Sequence, residues 1–276
     1  MDNSIDNSKD YNVDKYGGLL DKENYGLDDL ASIMGVLMSP EGCPWDRKQT
    51  HESLKRYLIE EAYEALEAID MKDDGLLCEE LGDVLLQVVF HACVSQAFSI
   101  GDVVNGICRK LISRHTHVFG DVKAATAEDA LSNWESNKRK EKGAEGHAAE
   151  LKRVPANLPA LMRAYKVQQK ARDAGFDWDE IGPVFEKAGE ELAELKEAVA
   201  AGDAAAIENE MGDLLFASVN LSRFVDTHPE QALGASTDKF VRRFDLMEKM
   251  IESEGRRLSD MTMSEMDVYW ERAKKL

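Results

Sequence analysis

Proline is scarce in this sequence, six in 276 residues, and runs rich in valine, isoleucine or threonine are few. With long segments of helical apolar periodicity, this excludes a β-rich architecture and predicts an all-α protein. Cysteine is sparse too. Cys43, Cys78, Cys93 and Cys108 include no C-x-x-C pair, which argues against a structural zinc site. The last three lie in helical, partly apolar contexts and are expected to be buried thiols, as a reducing cytoplasm would allow. No apolar run approaches transmembrane length, and the polar, acidic opening MDNSIDNSKDYNVDKYGG does not read as a signal peptide. A cytoplasmic protein with no membrane partner is therefore expected. Positive charge is the other shortage: 34 Lys and Arg stand against 53 Asp and Glu, a formal net charge of −19. Such a surface repels nucleic acid polymers and anionic membranes, whereas a small anion such as a nucleotide can be held through a bridging cation. Walker, G-x-G-x-x-G and G-x-S-x-G motifs are all absent.

What is present is apolar and charged in globular proportion, 43% and 32%. The length suits one large domain or two small ones. Residues 1–26 are expected to be a disordered acidic tail. Helices are expected from Leu27, from Thr50 to Asp70, over LLCEELGDVLLQVVFHACVSQAF, from Gly101 to Arg114, and over AEDALSNWESNKRKEK. HTHVFGD reads as a loop, and GAEGHAAELKRVP as a linker between a first domain, 27–150, and a second, 151–276.

The second half repeats the first. EEAYEAL at Glu60 and EELAEL at Glu190 share E-E-x-x-E, and in each copy 20 residues separate the first glutamate from Glu80 or Glu210. EELGD answers NEMGD, KLISRH answers KFVRRF, WESNK answers WERAK, and a G-x-x-W precedes each acidic run, GCPW and GFDW. This is an internal duplication of a small helical domain.

Residues three apart share a helix face, so Glu61 and Glu64 project together, as do Glu80 and Asp83 on the next, antiparallel helix. Glu191, Glu194, Glu210 and Asp213 repeat the set. Four converging carboxylates are strongly unfavourable without a cation, and an all-oxygen donor set suits Mg²⁺, or Mn²⁺ in its place, rather than zinc. A single E-E-x-x-E in so acidic a chain would be read as a solvated face; two copies at equal spacing would not. A di-iron bundle would need Glu-x-x-His where this chain has Glu-x-x-Asp. Lys239 and Arg243 lie one helical turn apart, as do Trp270 and Lys274, and such cations could neutralise phosphate oxygens. For Trp270, ordinary core packing competes with stacking on a base.

The copies differ. Lys187, one turn before Glu190, answers Tyr57, and Asn220, two turns after Asp213, answers Phe90. The second site is the more polar, as a triphosphate pocket requires. Residues 151–276 are therefore expected to carry most of the hydrolysis, and 27–150 to be chiefly structural or regulatory.

The tandem E-E-x-x-E…E-x-x-D, with GCPWD, GDLLF and NLPALMRAYKVQQKARDAGFDW, resembles the MazG family of nucleoside triphosphate pyrophosphohydrolases over nearly the whole chain after residue 27. The match departs at SRHTHVF, where Ser113 and Thr116 replace the family's Arg and Pro. The resemblance implies two similar helical-bundle domains in a homodimer. It also implies Mg²⁺-dependent conversion of a nucleoside triphosphate to monophosphate and pyrophosphate, broad in base and sugar. The implied metal ligands are Glu191, Glu194, Glu210 and Asp213, with Glu61, Glu64, Glu80 and Asp83 in the first copy. Implied substrate contacts are Lys239, Arg243, Trp270 and Lys274. Lys187, Glu190 and Asn220 are added from the residues themselves, and Glu190 or Glu191 would orient or deprotonate the attacking water. A metal- or nucleotide-binding regulatory protein is the alternative of a different class.

Overall fold

The computed structural model describes residues 16, 18–141 and 146–275, with Arg139 by its backbone alone. Among these residues there are helices and turns and no strand. The chain divides into two units, Met1–Glu141 and Lys142–Leu276. No helix is long and apolar enough to cross a membrane among the described residues. Of the expected disordered tail, residues 1–15 and 17 lie outside the description; a 3₁₀ turn at Leu19–Asp21 occupies part of the rest, closed by the Tyr25 hydroxyl donating to the Leu19 carbonyl at 2.7 Å.

The first unit holds α1 (Leu27–Met38), α2 (His51–Met71), α3 (Asp74–Val94), α4 (Ile100–Arg114), α5 (Thr116–Phe119) and α6 (Ala127–Glu141). The second holds α7 (His147–Lys152), α8 (Ala160–Asp173), α9 (Ile181–Ala201), α10 (Ala204–Phe224), α11 (Pro229–Ser253) and α12 (Met263–Ala273). Two expectations change here. HTHVFGD contains the single-turn α5, and the supposed linker contains α7. The unit boundary accordingly falls after Glu141 rather than after residue 150. The reason is packing: Ala149 and Leu151 are half-buried and Lys170 of α8 lies 3.4 Å from Glu150, so α7 belongs to the second unit.

Each unit is built on one helix pair. Helices α2 and α3 have 21 residues each, and so do α9 and α10. The turns between them are made alike. Lys72 (φ 56°) and Gly202 (φ 70°) end the first helix of each pair in the left-handed region. Asp73 and Asp203 then cap the second helix by accepting from the next backbone N–H groups, Gly75 and Leu76 in one copy and Ala205 and Ala206 in the other. A Cβ on Gly202 would meet nothing within 4 Å, so only backbone strain opposes a side chain there. Gly202→Ala is therefore expected to destabilise the second unit by about 1–2 kcal/mol. Urea unfolding followed by circular dichroism measures it, and an unchanged midpoint would refute it.

In the first unit Met34 of α1 packs with Leu54, Val89 and Phe90, half-buried Tyr57 and Leu86 closing the cluster. Helix α8 lies against α10 and α11 in the second unit. Helices α11 and α12 form a further hairpin with its own core of Met247, Ile251, Met261, Tyr269 and Ala273. Apolar side chains remain exposed on the paired helices, among them Tyr63 and Leu66 on α2 and Phe185, Leu192 and Leu215 on α9 and α10. Helix α3, apolar on most of its faces in sequence, likewise exposes Leu81 and Leu85. Cys78 and Cys108 are exposed and Cys93 half-buried, so two of the three thiols expected to be buried sit on outward faces.

Candidate metal and nucleotide site

The acidic residues meet because α9 and α10 run antiparallel with their i, i+3 carboxylates turned to one side. One oxygen from each of Glu191, Glu194 and Glu210 lies within 4.8 Å of the others. Glu61, Glu64 and Glu80 form the same triad between α2 and α3. Asp213 stays outside its triad: its Oδ2 accepts from Asn209 Nδ2 at 3.0 Å, and it lines a recess with Glu191. Asp83 is also outside, though its charge acts on Glu61 and Glu80.

Crowded anions raise each other's pKa. Burial and then the charges of Asp83, Glu64 and Glu80 push the Glu61 carboxyl upward. Burial followed by Glu64 and Asp83 raises Glu80. Glu194 is raised by burial and then by Glu191, Glu190 and Glu210. The second triad holds a partial answer to this repulsion. Lys187 lies 2.8 Å from Glu190 and 2.7 Å from Glu191, and these two hydrogen-bonded carboxylates hold its ammonium well above the usual lysine range. Glu191 is only 6% exposed, so an uncompensated charge there would be costly.

A recess of about 110 Å³ opens beside this triad, lined by Trp178, Val184, Lys187, Glu191, Asp213, Phe216, Ala217 and Asn220. The equivalent place in the first unit is filled. Trp45 stands edge-on to Tyr57, with ring centroids 5.9 Å apart, and to Phe90, at 6.4 Å. Tyr57 and Phe90 are the counterparts of Lys187 and Asn220, so the aromatic pair occupies the space that the polar pair leaves open.

The basic residues stand elsewhere. Lys239 is exposed and Arg243 half-buried on α11, and neither makes an ion pair among the described residues. Trp270 packs on Phe240 at 5.1 Å and on the hairpin core, and Lys274 pairs with Glu271. None of these four lines the recess. Their first-unit counterparts are engaged differently: Arg114 is paired with Glu141 at 2.8 Å and, with Lys138, lies over the Trp134 ring.

Several residues at the recess were passed over in the sequence. Trp178 was visible only as the end of a repeated G-x-x-W. Arg223, one turn after Asn220, donates to Asn220 Oδ1 from Nε at 3.2 Å and Nη2 at 2.7 Å, and its Nη1 lies 2.7 Å from Asp177 Oδ2. Burial would raise the Asp177 carboxyl, but the Arg223 hydrogen bonds and charge outweigh it and hold it below its usual range.

Fold and site together define a class: an all-α protein with duplicated carboxylate-bearing helix pairs. The family model of the MazG nucleotide pyrophosphohydrolase domain matches twice, at residues 49–119 and 185–251, each match spanning one such pair. The Thermotoga maritima nucleoside triphosphate pyrophosphohydrolase/pyrophosphatase MazG is 50% identical over 251 residues, 90% of this chain and 95% of its own. The Escherichia coli K12 nucleoside triphosphate pyrophosphohydrolase is 41% identical over 257 residues, 90% of this chain and 97% of its own. An uncharacterised Bacillus subtilis protein, YabN, is 47% identical over 88% of this chain and half of its own length. The chain belongs to the MazG nucleotide pyrophosphohydrolase family.

Proposed function

We propose that the chain hydrolyses nucleoside triphosphates to a nucleoside monophosphate and pyrophosphate, with water attacking the α-phosphorus and with little restriction on base or sugar. The observation that carries this reading is the Glu191–Glu194–Glu210 triad beside a recess bearing Lys187 and Asn220. It stands in a chain half-identical to the Thermotoga pyrophosphohydrolase.

Three carboxylate oxygens within 4.8 Å of one another, with no nitrogen or sulfur donor among them, fit Mg²⁺, with Mn²⁺ as a substitute. Glu191, Glu194 and Glu210 would hold the ion with Asp213 beside them, as Glu61, Glu64, Glu80 and Asp83 would in the first unit. When bound, the cation supplies charge screening and Lewis acidity to the triphosphate. Glu190 lies outside the triad and so is not committed to the ion; its hydrogen bond to Lys187 holds it in place, and it would take the proton of the attacking water, with Glu191 as the second candidate. Lys187 and Asn220 donate to phosphate oxygens. Lys239 and Arg243, which make no ion pair among the described residues, are suited to the leaving pyrophosphate, with Lys274 and Trp270 flanking them on the same hairpin. A homodimer in which the α11–α12 hairpin of a second copy reaches the recess would join the basic and acidic sets. The apolar residues exposed on α9 and α10 support such an interface.

Incubation of ATP with Mg²⁺ in ¹⁸O-water is expected to give AMP and pyrophosphate with the label on AMP. ADP and orthophosphate, or label on pyrophosphate, would overturn the reading. Metal binding is also expected to raise the melting temperature near neutral pH, where the crowded carboxylates are ionised. Raised carboxyl pKa values mean that the apoprotein gains relative stability as pH falls through them and loses it as pH rises. The increment from Mg²⁺ should therefore shrink as pH falls through the raised carboxyl range and Glu194 and Glu61 take up protons. Scanning calorimetry with and without Mg²⁺ measures it, and an increment that grows on acidification would refute the site.

A further inference from the structure

A second cavity, about 270 Å³, adjoins the acid-lined recess. Trp178 and Asn220 line both, so the two spaces share a wall. Gly175, at φ +87°, ends α8 with its N–H donated to the Arg172 carbonyl at 2.8 Å. That turn brings Phe176 and Trp178 to the rim, and Phe176 is 84% exposed, the largest value among the exposed apolar side chains. With Trp178, 42% exposed, it forms adjoining apolar surface at the mouth of the cavity.

The floor carries a polar group without a partner. Gln168 of α8 is 7% exposed. Its Nε2 donates to the Phe216 carbonyl at 2.8 Å, which fixes the orientation of the amide. Its Oε1 is buried and accepts no hydrogen bond from the described residues. A buried carbonyl oxygen without a donor is unfavourable and calls for one. Arg223, the charged donor in the cavity lining, is committed to Asp177 and Asn220 instead.

We infer that this cavity takes the nucleobase of the bound nucleotide, with Trp178 and Phe176 as its aromatic walls and Gln168 Oε1 as acceptor for an exocyclic amino group. The inference rests on the nucleotide reading of the adjoining recess and adds the end of the substrate that the carboxylates do not touch. The shared wall sets the order: phosphates at Lys187 and Glu191, sugar past Asn220, base over Trp178. Asp177 and Arg223 are positioning residues. Arg223 occupies Asn220 Oδ1, Asp177 holds Arg223 in place, and the Asn220 amide N–H groups are left to the nucleotide. The first unit provides the internal contrast, since Phe90 and Cys93 replace Asn220 and Arg223 and Trp45 is folded down onto Phe90.

The test is binding, so that it is independent of turnover. AMP and purine riboside monophosphate, which lacks only the amino group, are titrated by calorimetry into the full-length protein with Mg²⁺. The protein is expected to prefer AMP about tenfold, the effect of one buried hydrogen bond. Gln168→Met should bring that ratio close to one, and Trp178→Ala should weaken both ligands together. The inference is overturned if neither ligand binds, if the native protein does not discriminate, or if Gln168→Met keeps the full preference. It is equally overturned if Trp270→Ala, and not Trp178→Ala, removes the binding, which would place the base on the α11–α12 hairpin. ATP hydrolysis followed in parallel reads the proposed reaction alone: its absence in the native protein, with the AMP preference present, would remove the reaction and leave the pocket.

Discussion

Glu191→Ala is expected to lower Mg²⁺-dependent ATP hydrolysis by roughly three orders of magnitude, since several kcal/mol of charge stabilisation depend on the bound ion. The side chain is the most deeply placed of the triad, 6% exposed, and one of its oxygens is within 4.8 Å of both Glu194 and Glu210. It is also the one that Lys187 neutralises, at 2.7 Å. Folding should survive the change, because Lys187 keeps Glu190 as a partner at 2.8 Å and the loss of Glu191 relieves the repulsion that its charge exerts on Glu194. The two readouts separate a site residue from a structural one. Hydrolysis by released pyrophosphate should fall to background while the far-ultraviolet circular dichroism spectrum is retained. Asp213→Ala should do the same. Retained Mg²⁺-dependent activity in both variants would sink the metal assignment.

The second large effect distinguishes the halves. Glu191→Ala with Glu194→Ala is expected to remove general nucleoside triphosphate hydrolysis, and Glu61→Ala with Glu64→Ala to leave most of it. Both triads bring three carboxylate oxygens within 4.8 Å of one another, so the acids alone would not decide this. The surroundings do. Beside Glu191 the recess is open, with Lys187 and Asn220 as donors. Beside Glu61 the corresponding space is closed by Trp45, Tyr57 and Phe90. A triphosphate needs donors for each oxygen that leaves water, and this aromatic cluster offers only the Trp45 indole N–H and the Tyr57 hydroxyl. Activity lost in the first-unit pair and kept in the second would reverse the assignment. Equal partial losses would mean that both sites turn over.

Much of this was legible in the chain. Helical periodicity, the shortage of proline and the 20-residue spacing between matching acids are local properties, and each is carried through to helix pairs of 21 residues in both copies. The carboxylate triads were legible for the same reason, since i, i+3 spacing on antiparallel neighbours leaves them nowhere else to meet. Capping aspartates at Asp73 and Asp203 repeat because the turn geometry repeats.

Other features depend on which face meets which. Cys78 and Cys108 have apolar neighbours in sequence yet face outward, because a helix apolar on several sides does not say which side its partner covers. Helix α7 reads as linker until Lys170 of α8 is found against Glu150. Gln168 is one polar residue among many on an amphipathic helix; only the Phe216 carbonyl, 48 positions later, fixes its amide and leaves Oε1 without a partner. Composition and periodicity thus specified the helices, their duplication and the acids they carry, because those follow from contacts within a few residues. Whether the space beside each triad stands open or is filled was settled by long-range packing, in which a tryptophan common to both copies lies on Phe90 in one and borders a cavity in the other.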